Sequence, residues 1–174
     1  MITIISSTNR PENNTLKIAS YYYQQLIHKG QQAQLFSLEQ LPTDFSFNND
    51  VFGSSNQLFS EIVKKNIQGA TKFVFIVPEY NGSFPGALKA LIDGVWPEMF
   101  RNKKAALVGV ASGRAGNIRG LDHLTGILNY LRVYVLPNKV YLPSIDKLLG
   151  SESVISDERT LQSINKQIDE ILHF

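Results

Sequence analysis

The chain has 174 residues, 43% of them hydrophobic and 18% charged, a length and composition that fit one folded domain with a substantial core rather than a disordered segment. Its net charge of +2 is too small, and its basic residues too scattered, for a nucleic-acid surface. Cysteine is absent, which removes disulfides, thiolate metal sites and cysteine nucleophiles, and no apolar run approaches the ~20 residues of a membrane span.

In chain order, Ile2-Thr3-Ile4-Ile5 reads as a buried strand. It follows Met1 without a basic segment and is too short for a signal peptide, and the lack of cysteine fits the expectation of a cytoplasmic protein. Leu16 to His28 carries helical spacing (Leu16, Ala19, Tyr23, Leu26, Ile27), and Gly30 stops it. Ala33 to Leu38 is a second strand, followed by a loop rich in Asn, Ser and Phe between Thr43 and Ser55. Leu58 to Ile67 reads as a helix, Lys72 to Val77 as a third strand, and Pro85 to Val95 as a helix with Pro85 in its first turn. Ala105 to Val110 is a fourth strand, Ile118 to Leu131 a helix and Val133 to Leu136 a fifth strand. Ser156-Asp157 caps a last helix reaching about Leu172.

Five strands alternating with helices predict an α/β domain over residues 1–174, its parallel sheet covered on both faces. Ligands of such sheets bind beyond the carboxyl ends of strands, where strand order reverses. The segments after the first, third and fourth strands are therefore the places to look.

After the first strand, Ser6 to Thr15 offers hydroxyls, amides and Arg10 at the start of a helix, where free N–H groups favour an anion. Thr8, Arg10, Asn13, Asn14 and Thr15 are its candidate phosphate ligands. The plainer reading is that Asn13, Asn14 or Thr15 caps the helix. No GxxxxGK[ST] run is present, which excludes a nucleoside triphosphate loop. After the third strand, Pro78-Glu79-Tyr80-Asn81-Gly82-Ser83 combines an end to strand pairing at Pro78, a tight Asn-Gly turn and a tyrosine on which a ring could stack. Its turn is expected to leave the N–H groups of Asn81, Gly82 and Ser83 facing a planar, acceptor-rich edge. On periodicity and turn chemistry alone, an ordinary Asn-Gly turn beside a partly buried tyrosine is the slightly better account. After the fourth strand, Ser112-Gly113-Arg114 is either a ligand loop with close backbone approach or a plain connection with an exposed arginine. Together the three loops suit a ligand with a phosphate tail and a flat polar head.

The run Pro78-Glu79-Tyr80-Asn81-Gly82-Ser83-Phe84-Pro85-Gly86-Ala87-Leu88-Lys89, followed by Leu91-Ile92-Asp93, resembles the NAD(P)H-dependent FMN reductase family, which includes quinone, azo-dye and chromate reductases. The resemblance extends from Ile2 to about Leu136. It implies a flavodoxin-like three-layer sandwich with a five-stranded parallel sheet in the order 2-1-3-4-5, a noncovalently bound FMN, NAD(P)H as electron donor, and a homodimer or dimer of dimers. Arg10 matches the family arginine and Thr8 the place of a serine. Asn13 and Thr15 replace a later serine and asparagine, and Ser7 stands where glycine is common. Pro78 to Ser83 would hold the isoalloxazine ring, with Ser112, Gly113 and Arg114 close to it. Gly94-Val95-Trp96-Pro97-Glu98 departs from the family pattern at the substrate mouth.

The resemblance implies hydride transfer from NAD(P)H through FMN to free FMN, a quinone or an azo compound. Flavin chemistry also explains why no catalytic triad or acid–base pair is visible. A flavodoxin-type electron carrier is the rival reading, against which the slight positive charge argues. A receiver domain is excluded, since Ser, Thr, Asn and Arg occupy the place of its acidic pair. His28, His123 and His173 show no metal spacing, no metal site is expected, and these residues read as surface or packing groups. Tyr21-Tyr22-Tyr23 spreads around a helix, part core and part surface. Phe45, Phe47 and Phe52 read as local packing in preference to a subunit contact or substrate edge.

Overall fold

The computed structural model describes residues 1–45, 56–149 and 155–174, so Phe47 and Phe52 lie outside the described residues. The strands are β1 (Ile2–Ser6), β2 (Ala33–Ser37), β3 (Lys72–Pro78), β4 (Lys104–Val110), β5 (Tyr134–Val135) and β6 (Val140–Leu142). The α-helices are α1 (Asn14–His28), α2 (Gln57–Val63), α3 (Gly86–Asp93), α4 (Ile118–Tyr130), α5 (Ile145–Leu148) and α6 (Glu158–His173). The expected helix to Ile67 is thus an α-helix that widens into a π-turn over Lys64–Gln68.

The sheet is parallel in the order β2-β1-β3-β4-β5, with β6 also pairing with β4. The expected single fifth strand is therefore two short ones. Tyr134 and Val135 pair with Lys104 and Ala105, whereas Val140 to Leu142 pair with Val108 to Val110. Pro137 lies between them, and its missing N–H cannot continue the ladder.

The period of two along β3 divides the core. Phe73, Phe75 and Val77 point to the face covered by α2, α3 and α4, where Phe59, Leu88, Leu91, Leu121 and Leu124 meet them. Val74 and Ile76 point to the other face, against Ile18, Tyr22 and Leu26 of α1 and Ile164, Ile168 and Ile171 of α6. Tyr22 is fully buried and its hydroxyl donates to Gln167 at 2.9 Å, while Tyr21 and Tyr23 are half-buried as the sequence suggests. At the N-terminal edge of the sheet, the Lys72 ammonium donates to the carbonyls of Ile171 and Leu172, and that of Lys104 to Phe174.

Two local expectations change. Pro85 is the residue flanking α3 rather than its first helical position, its ψ of 141° being extended. Pro78 does not end pairing. It stands opposite Val110, and the Glu79 N–H still donates to Val110 at 2.8 Å.

Candidate functional site

Because β2 lies on one side of β1 and β3 on the other, the chain leaves β1 and β3 toward opposite ends of the sheet and opens a crevice at their carboxyl ends. A cleft of about 450 Å³ occupies it. Thr8, Arg10, Asn13, Asn14 and Thr15 line it from the first loop, Pro78, Glu79 and Tyr80 from the second, and Ser112 from the third. Asn81, Gly82, Ser83, Gly113 and Arg114 stand outside that lining.

The first loop is built inward from the strand. The Ser7 N–H donates to Ile76 at 3.0 Å and prolongs the β1–β3 ladder, so Ser7 forms floor rather than contact. Thr8 is fully buried; its hydroxyl accepts the Arg10 N–H at 3.2 Å and pairs with the Tyr80 hydroxyl at 2.7 Å. Of the three capping candidates, Asn13 caps α1, accepting the Leu16 N–H at 2.7 Å. Its amide nitrogen donates to the Arg10 carbonyl and to Glu39, both at 2.7 Å. Asn14 donates to Asp146 across the cleft at 2.8 Å. Both asparagine side chains are thus committed within the protein. What the helix leaves for an anion are the N–H groups of Asn14 and Thr15, which have no intrahelical partner.

In the second loop, Asn81 and Gly82 have φ of 51° and 78°, the left-handed pair of a two-residue hairpin turn. Tyr80 and Ser83 exchange both backbone hydrogen bonds, at 2.9 and 3.1 Å. The Ser83 N–H is therefore turned onto Tyr80 and is not free, contrary to expectation. Only those of Asn81 and Gly82 lie outside the hairpin's own pairing. On the far side of Tyr80 a second cleft of about 570 Å³ is lined by Asn9, Leu41, Phe45, Pro85 and Ala87 among others. Phe45 itself is buried and stacks on Phe59 at 5.6 Å, which is local packing.

The third loop is tied down at both ends. Ala111 N–H donates to Leu142 and Ser144 N–H to Gly113, each at 3.0 Å. Asn117, at a left-handed φ of 64°, is fully buried and its amide donates to Val77 at 3.0 Å. Arg114 is exposed.

Asp146, Glu39 and Asn117 carry no signal in the sequence that joins them to these loops, and His123 is a surface group as expected. Asp146 meets its partner from 132 residues away and carries no local signal. His123 is exposed, and its Nδ1 lies 2.9 Å from the Ser83 hydroxyl. Among the described residues, no three His, Asp or Glu side chains are grouped to hold a metal, and no helix is long and apolar enough to cross a membrane.

The sequence profile of the NADPH-dependent FMN reductase family matches residues 1–147. The chain belongs to that family. An NAD(P)H-dependent FMN reductase of Pseudomonas aeruginosa is 30% identical over 149 residues, covering 82% of this chain and 78% of the relative. An NADPH azoreductase of a Bacillus species is 27% identical over 181 residues, covering 96% and 95%. Among solved structures, an apo NADH:FMN oxidoreductase superposes with a TM-score of 0.77 at 19% identity, covering 98% of this chain and 87% of that one. The family match and the superposition agree with the flavodoxin-like sheet order.

Proposed function

We propose that the chain is an NAD(P)H-dependent flavin oxidoreductase that passes hydride from NAD(P)H through bound FMN to an acceptor such as free FMN, a quinone or an azo compound. The observation that carries this reading is the meeting, at one topological switch point, of the α1 N-terminus and the Asn81-Gly82 hairpin, pinned together by the Thr8–Tyr80 hydrogen bond at 2.7 Å. The names of the Pseudomonas and Bacillus relatives point the same way.

The donor set fits FMN. The N–H groups of Asn14 and Thr15, with Arg10 beside them, suit a phosphate, and the cleft has the size of a small-molecule site. Glu12, Glu79 and Asp146 share its lining. Phosphate recognition therefore rests on directed N–H and hydroxyl groups and one guanidinium rather than on a broad positive field. When bound, FMN supplies the hydride chemistry. The N–H groups of Asn81 and Gly82, at the tip of the hairpin beside the cleft, would meet the polar edge of the ring and favour negative charge there. Pro78, Glu79 and Tyr80, which line the cleft, would form the wall along the ring, and Ser112, with Gly113 and Arg114 next to it in the chain, would flank its other side.

The chain works as a cytoplasmic homodimer, in keeping with its lack of cysteine. Support for the dimer comes from an apolar groove of about 400 Å³ between α3 and α4, lined by Ile92, Val95, Ile127 and Leu131. Tyr130 also lines it and is 86% exposed. Sedimentation equilibrium of wild type and Tyr130→Glu tests this: a dimer that the substitution dissociates is expected, and a wild-type monomer refutes it.

The function itself is read from the purified protein. A yellow preparation that releases FMN on denaturation and bleaches on mixing with NADPH, then recolours with quinone, is the expected result. Failure to bind added FMN overturns the proposal. Binding of FMN without bleaching by either nicotinamide makes the chain an electron carrier instead.

A further inference from the structure

Asn117, Gly120 and His123 recur every third residue from the start of α4 and share one face of it. Each of them meets the segment that ends β3 and forms the hairpin. The Asn117 amide holds the Val77 carbonyl at 3.0 Å. A Cβ on Gly120 would lie 2.8 Å from the carbonyl carbon of Ser83, so the helix backbone itself abuts the hairpin. The His123 imidazole lies 2.9 Å from the Ser83 hydroxyl. One helix face thus grips the loop at both ends, with Pro78 to Gly82 strung between.

Ser83 closes the hairpin with both of its backbone polar groups, which are exchanged with Tyr80. Its hydroxyl is the group left over, and His123 takes it. Either tautomer serves, because a hydroxyl both donates and accepts. His123 lines neither cleft beside Tyr80. Its hydrogen bond to the loop is made to the Ser83 hydroxyl, next to Gly82. Without the contact the hairpin keeps its internal pair and its packing on Gly120, but loses its side-chain hydrogen bond to α4. The N–H groups of Asn81 and Gly82 are then held less firmly, by the Tyr80 pairing and the Thr8 bond alone on the other side of the turn.

We propose that His123 is a positioning residue for the flavin ring site, which through the Ser83 hydroxyl fixes the Asn81-Gly82 hairpin and so sets both the affinity for FMN and the reduction potential of the bound ring. The inference rests on the flavin reading above. A preorganised donor is worth more to the reduced ring than to the oxidised one, because charge accumulates on reduction.

The test uses the full chain stripped of flavin and titrated with FMN, followed by fluorescence quenching, together with the midpoint potential of the reconstituted protein. His123→Ala is expected to weaken FMN binding about fivefold, the effect of one hydrogen bond, and to lower the potential. His123→Asn, which can return an amide atom near the place of Nδ1, should restore most of both. Ser83→Ala should match His123→Ala, and the double variant should be no worse than either single one. Unchanged affinity and potential in His123→Ala, strictly additive losses, or no rescue by asparagine would each overturn the proposal. If His123→Ala does not fold, Ser83→Ala reads the same contact from the other side. A wild-type chain that binds no FMN would overturn the flavin reading and this inference together. Binding by wild type with an indifferent His123 would overturn this inference alone.

Discussion

The Thr8 hydroxyl joins residues 72 positions apart in sequence, accepting from the Arg10 backbone while it pairs with Tyr80. It therefore sets the distance between the loop suited to phosphate and the loop suited to the ring. Tyr80→Phe keeps the aromatic face and removes only that bond. A loss of about 1 kcal/mol is expected, with a melting temperature lower by about 2–4 °C in calorimetry. Arg10→Ala removes the exposed guanidinium proposed to meet the phosphate, and FMN affinity should fall by about tenfold or more with the melting temperature of the flavin-free protein unchanged. Retained affinity would refute the phosphate assignment. At this scale the sequence was legible where chemistry is local. Asn81-Gly82 has the turn its dipeptide demands, and one of three named candidates caps α1. It was not legible where a partner comes from afar. The Asn14–Asp146 and Ser83–His123 contacts need the fold before they exist, and the Ser83 N–H is consumed because the turn closes into a hairpin.

Among the elements, α4 is the one whose position most constrains the site. Gly120 lets it lie directly on the hairpin, with the Asn117 side-chain oxygen and the Ser83 carbonyl carbon where a Cβ would stand. Gly120→Ala should force α4 away from the loop at a cost of about 1–3 kcal/mol, visible as a shifted denaturation midpoint. It should weaken FMN binding as well, whereas Gly126→Ala, further along the same helix with open space at its Cβ, should leave FMN binding unchanged. Asn13→Ala removes the cap of α1 and the links to Arg10 and Glu39, so about 1 kcal/mol of stability should be lost on denaturation. Most of these elements could be read from periodicity, since buried parallel strands are continuous apolar runs and the helices alternate regularly with them. The split of the fifth strand could not. Val133 to Leu136 and Val140 to Leu142 are both short apolar stretches, and only pairing with β4 reveals that the two share one track of the sheet.

For the molecule as a whole, the two edges of the sheet have opposite tasks. The carboxyl edge holds the cleft, and the amino edge carries Lys72, Lys103 and Lys104, which bind main-chain carbonyls. Burial lowers the Lys72 ammonium below its usual value, assisted by Lys104, and burial brings Lys103 down to about 8. Between about pH 8 and 10.5 the unfolded chain holds a proton on Lys103 that the folded chain has released, so this group makes stability rise with pH across that window. Below about pH 8 both states are charged and its pH dependence vanishes. Urea denaturation across the same window should show a shallower upward trend in Lys103→Met than in wild type. The broken fifth track has a consequence of another kind. An unbroken outer strand would present a row of open main-chain groups onto which another copy could add. Here that border consists of strands of two and three residues, interrupted at Pro137 and followed by Lys139, whose ammonium is anchored on Asp122 at 2.8 Å. Such a border is a poor template for strand addition, which guards that side of the sheet against pairing with another copy.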